Sequence, residues 1–104
     1  SFMFVAPEQY DPKSTAKFWK GENPTRIAAL RTLLAGIDDF SKENTEKIVF
    51  EWIAQNEYPM GQVMNSFRLA IVGTSSGPSI LDICEIIGKE ETLRRIDKAL
   101  ETLR

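Results

Sequence analysis

Pro59-Met60-Gly61-Gln62-Val63-Met64-Asn65-Ser66-Phe67-Arg68-Leu69-Ala70-Ile71-Val72-Gly73 decides the fold class of this 104-residue chain. Val63, Met64, Phe67 and Ile71 recur at the three- and four-residue steps that place side chains on one face of an α-helix. No two-residue alternation of apolar and polar positions runs through the stretch, so it does not read as a strand. Tyr58-Pro59 sets the start, because proline pushes the residue before it out of helical backbone, and Gly73 sets the stop. Position 68 follows Phe67 around the helix at the edge of the apolar stripe. Arg68 can therefore lay its methylenes along apolar surface and carry its guanidinium outward.

Upstream the same punctuation recurs. Asp11-Pro12 joins an N-cap to a first-turn proline and opens a short helix from Lys13 to Lys20, stopped by Gly21. Asn23-Pro24 opens a second helix, in which Ile27, Leu30 and Leu34, with Ala28 and Leu33, keep helical spacing as far as Gly36. After the acidic turn Asp38-Asp39, Ser41 caps a third, whose wide apolar face holds Thr45, Ile48, Val49, Trp52 and Ile53. Downstream, Thr74-Ser75-Ser76-Gly77-Pro78 is a breaker-rich loop, and Ser79 with Asp82 has the spacing of a capping box. A fifth helix runs from Ile80 to Ile87, with Ile83, Ile86 and Ile87 apolar, and Gly88 ends it. The last runs from Lys89 to Leu103, with Leu93, Ile96, Leu100 and Leu103 on one stripe and Arg94, Arg95 and Lys98 around it. The expected architecture is all-α, a compact bundle of about six short helices, with residues 1–10 as a connector and 11–104 as one helical domain.

Hydrophobic residues make up 42% of the chain and charged residues 27%, the proportions of a folded globular protein. Apolar runs such as Leu69-Ala70-Ile71-Val72 fall far short of the roughly 20 residues a membrane-spanning helix needs, so no membrane partner is expected. Ser1-Phe2-Met3-Phe4-Val5 lacks the basic leader of a signal peptide and reads as an internal cut in something longer. A single cysteine, Cys84, lies within an apolar run and fits a reducing cytoplasm.

There is no histidine at all. With one cysteine and neither a paired-carboxylate nor a glycine-rich phosphate motif, the chain holds little with which to do acid–base, nucleophilic or zinc chemistry near neutral pH. Binding is the better expectation, with no catalytic residue, no metal ligand and no cofactor in this chain. The net charge of −2 argues mildly against nucleic acid. The acid excess sits in the first half: residues 1–58 carry 7 basic and 9 acidic side chains, against 6 and 6 in residues 59–104.

The most site-like feature is Arg68 followed by the loop Gly73 to Pro78 at the head of a helix. Exposed loop amides, a helix N-terminus and a planar donor suit a phosphate or a splayed base. The bland reading is an ordinary helix–turn–helix with a snorkelling arginine, and composition alone favours it. Lys89, Arg94, Arg95 and Lys98, interspersed with Glu90, Glu91, Asp97 and Glu101, read better as a solvated face than as a phosphate strip. Trp52 and Phe67 lie on apolar stripes and read as core, while Trp19 is undecided.

The run from Met60 to Gly73, then Ser76-Gly77-Pro78, Gly88-Lys89-Glu90-Glu91 and Arg95-Ile96-Asp97-Lys98-Ala99-Leu100, resembles the C-terminal anticodon-binding domain of bacterial-type glutamyl-tRNA synthetases. Tyr10-Asp11-Pro12-Lys13 resembles the segment that enters that domain, so the resemblance covers nearly the whole chain. It implies a monomeric, cytoplasmic fragment that binds the anticodon loop of tRNA, in a parent enzyme that ligates glutamate to tRNA. ATP and magnesium would then belong to the parent's catalytic domain. It also implies anticodon contacts at Arg68, Gly77, Pro78 and Ile80. Gly77 stands where some members carry threonine, and Ile80 where leucine is more usual. Anticodon bases are single-stranded and can be read by arginine planes, apolar surfaces and backbone groups, for which a near-neutral module suffices. The other reading is a helical protein-interaction domain without an RNA role.

Overall fold

The computed structural model describes residues 6–103, which form six α-helices and no strand. They are α1 (Pro12–Phe18), α2 (Asn23–Ala35), α3 (Lys42–Gln55), α4 (Met60–Val72), α5 (Ile80–Ile87) and α6 (Lys89–Thr102). Residues 1–5, half of the expected connector, lie outside the described residues.

Local signals placed the helix starts well. The Asp11 carboxylate accepts from the Ser14 backbone N–H, and Ser41 caps α3 through the Asn44 N–H. Two signals failed: Ser79 makes no side-chain cap on α5, so the expected capping box does not form, and Asn23 is the first residue of α2 rather than its cap, with Glu22 at the N-cap and no side-chain cap hydrogen bond. The first helix also stops sooner than expected, at Phe18, with Trp19 as its C-cap.

The decisive stretch, α4, is the hub of the bundle and packs against every other helix. Its buried residues are Val63, Ser66, Phe67 and then the continuous run Leu69 to Val72, so its second half is enclosed on all sides. Ile27, Leu30 and Leu34 of α2, Val49 and Ile53 of α3, Ile80, Leu81 and Ile83 of α5 and Ile96 and Ala99 of α6 complete one continuous core. Burial of such aliphatic side chains contributes about 1.5–3 kcal/mol each, which is what holds short helices together in water.

Burial departs from the periodicity in four places. Trp19 is buried whereas Trp52 is only half-buried, set edge-on against Tyr58 with ring centroids 5.3 Å apart. Ile86 turns outward and is 55% exposed. The buried face of α6 is Thr92, Arg95, Ile96 and Ala99, with Leu93, Leu100 and Leu103 flanking it. The reason is that α6 lies between α2 and α4 and needs two contact faces. Consequently the expected solvated face of α6 is not one: Arg95 is fully buried, Lys89 donates to the Ile37 carbonyl at 2.8 Å, and Lys98 donates to the Pro7 carbonyl at 2.8 Å. Of the four cations only Arg94 stays exposed.

Candidate nucleic-acid interface

Gly73 closes α4 in the left-handed region, at φ +83°, and turns the chain into the loop Thr74–Ser79. A Cβ at position 73 would lie 2.8 Å from the Pro7 Cβ and 2.9 Å from the Gln9 carbonyl oxygen, so only glycine fits there. The segment before α1 thus lies directly against the root of the loop. Asp11 N–H donates to the Gly73 carbonyl at 2.7 Å, and the hydroxyls of Ser14 and Ser75 meet at 2.8 Å.

The far end of the loop is held by Arg68, whose Nη1 donates to the Pro78 carbonyl. Its stem is half-buried against the bundle, and burial lowers the guanidinium from its ordinary value. Among the described residues no carboxylate pairs with Arg68. Between the two anchors Ser76, Gly77, Pro78 and Ser79 are exposed. Gly77 adopts φ +126°, another conformation that a side chain resists, and open space lies where its Cβ would be.

The structure therefore brings Arg68, Gly77 and Pro78 together on one edge. It does not bring Ile80 to the surface: the residue is 1% exposed and packs in the core beneath the loop. The anion subsite anticipated at the head of α5 is closed as well, since Ile80 and Leu81 are both buried and Asp82 adds negative charge to the first turn. What remains is a planar cationic donor, a proline ring and a bare glycine backbone. That set offers stacking, apolar contact and in-plane hydrogen bonds, which suit a splayed base better than a phosphate. The sequence reading missed Ser14 and Ser75. Asp11 had marked a helix start, but nothing in the local pattern pointed to a partner across the chain.

A family model described as an anticodon binding domain matches residues 1–100. The chain is 48% identical over 103 residues to a glutamate–tRNA ligase of Phocaeicola vulgatus, covering 99% of this chain and 20% of that protein. It is 50% identical over 102 residues to the glutamate–tRNA ligase of Flavobacterium psychrophilum, covering 98% and 20%. The crystal structure of a glutamate tRNA ligase from Elizabethkingia meningosepticum, in complex with its amino acid, superposes with a TM-score of 0.92 at 38% identity, over 99% of this chain and 20% of that one. The chain thus spans about one fifth of the length of these relatives. With six helices, a loop held by Arg68 and a match over nearly all its residues, the chain belongs to the anticodon binding domain family.

Proposed function

We propose that this chain is the anticodon-binding module of a glutamate–tRNA ligase, a cytoplasmic enzyme that joins glutamate to its tRNA at the expense of ATP. Residues 11–104 form the module and residues 1–10 the connector into it, and it acts as a monomer. Its ligand is the anticodon loop of tRNA. Arg68, Gly77 and Pro78 contact the bases, and Ile80 holds the loop from beneath. The observation that carries this reading is the pairing of Arg68 with the exposed Gly77-Pro78 edge.

The chain is not catalytic on this reading. Among the described residues no three His, Cys, Asp or Glu side chains converge, and on this reading ATP and magnesium belong to another part of the parent. The net charge of −2 gives little general attraction for phosphate, so affinity rests on base contacts.

Fluorescence anisotropy of labelled anticodon stem–loops titrated with the chain tests the proposal. Binding should be weak, salt-dependent and sensitive to anticodon sequence. No binding at low salt would leave the chain a helical interaction domain instead, and equal binding to every loop sequence would overturn the base-reading roles.

A further inference from the structure

Ser14 of α1 is 5% exposed, so no ligand can reach it. Its hydroxyl nevertheless lies 2.8 Å from that of Ser75, in the loop 61 residues away, and 2.7 Å from the Asp11 carboxylate. The hydrogen-bond inventory fixes the direction of this chain. Asp11 also accepts from the Ser14 backbone N–H, and its bonds to Ser14 hold its carboxyl below the ordinary carboxylate range. It is therefore ionised at neutral pH and only accepts. Ser14 has one hydroxyl proton and gives it to Asp11. The Ser75 hydroxyl must then donate to Ser14, since neither serine has a second hydroxyl proton.

The consequence falls on Ser75, which is only half-buried. With its proton committed inward, its oxygen can offer only lone pairs to the outside. It can take a hydrogen bond from an exocyclic amino group or a ribose 2′-hydroxyl, and it repels a phosphate oxygen. We infer that Asp11 and Ser14 are positioning residues for RNA recognition, which fix Ser75 at the root of the loop as an acceptor aimed at a base or sugar donor. This deepens the reading of the chain as an anticodon-binding module and rests on it. It adds to the Arg68 edge a second reading group of opposite polarity, a donor at one end of the loop and an acceptor at the other.

The test is a double-mutant cycle on the full chain with Ser14→Ala and Ser75→Ala, read as anticodon stem–loop affinity well below the melting temperature. Each substitution should weaken binding about three- to tenfold, and the double variant should be no weaker than the worse single one. Ser75→Thr, which keeps the hydroxyl, should restore affinity. Removing the 2′-hydroxyls or the base amino groups of the loop one at a time should leave one probe that binds Ser75→Ala and the unsubstituted chain alike. Thermal melts guard against a merely structural effect: Ser14→Ala should still be folded at the assay temperature while binding less RNA. If Ser14→Ala binds the stem–loop as tightly as the unsubstituted chain, the inference is overturned although the RNA reading survives. Independent, multiplicative losses would equally overturn it. If the unsubstituted chain binds no stem–loop, the RNA reading fails and the inference with it.

Discussion

Arg95 of α6 donates its Nη1 hydrogen to the Ile71 carbonyl of α4 at 2.9 Å, from a side chain with 0% exposure. Its Nε donates to Glu91 at 2.7 Å, one turn back on the same helix. A charged group at the centre of the bundle thus ties α6 to the last turn of the hub helix. Arg95→Ala removes both contacts, leaves the Ile71 carbonyl without this donor and opens a cavity between α6 and α4, and although Arg94 still holds Glu91 it should destabilise the chain by about 2–5 kcal/mol. Arg95→Met fills more of the volume and should lose less. Urea unfolding of the two variants checks the order, and an unchanged midpoint for Arg95→Ala would contradict the structure.

Glu91 gives this anchor a pH dependence. Hydrogen bonds from Arg94 first, then from Arg95, outweigh burial and hold its carboxyl down to about 2, against an ordinary value of 4.5. A group whose pKa is lowered by folding contributes stability above its unfolded value and loses it as the pH falls through the folded one. The contribution of Glu91 should therefore be complete above about pH 4.5 and fade between there and about 2. Glu91→Gln should be less stable at neutral pH and show a shallower acid limb in thermal melts from pH 6 to 2.

Gly61 in α4 and Gly73 at its C-cap should respond oppositely to alanine. Gly73→Ala forces a side chain into left-handed backbone and against Pro7 and Gln9, and should cost about 1–3 kcal/mol. Gly61 lies inside the helix with nothing within 4 Å of its missing Cβ. Gly61→Ala should raise stability by up to about 0.5–1 kcal/mol, because it removes the entropic cost of glycine in a helix. Differential scanning calorimetry separates the two, and shifts of the same sign would refute the assigned conformations.

Arg68→Ala should leave the bundle folded, since Arg68 stands at the edge of the core and its loss opens no internal cavity. Its affinity for the anticodon stem–loop should fall by about 1–3 kcal/mol, roughly five- to 150-fold. Arg68→Lys should recover only part of this, because an ammonium cannot stack on a base while donating in its plane. A base-reading arginine also loses discrimination when removed. An unchanged affinity ratio between cognate and anticodon-altered stem–loops would reduce Arg68 to a structural clamp on Pro78.

The sequence by itself determined the class, the order of the helices and most of their ends. Those depend on neighbours a few residues apart: Pro12 and Pro24 at helix starts, Ser41 at the head of α3, glycine at 73 and 88, and apolar steps of three and four. It also placed Arg68 at the rim of a stripe next to a loop of small residues. Only the tertiary structure decided what the rim faces. Arg94 and Arg95 are chemically identical neighbours, yet one is exposed and the other sealed, because successive helical positions are rotated by about 100° and α6 is packed from two sides. Trp19, undecided from its pattern, is buried, and Trp52, expected in the core, is only half-buried, for the same reason: which helix covers a face is a matter of the assembled bundle. Ser14 and Ser75 meet across 61 residues through the packing of α1 against α4, a contact that no local pattern encodes.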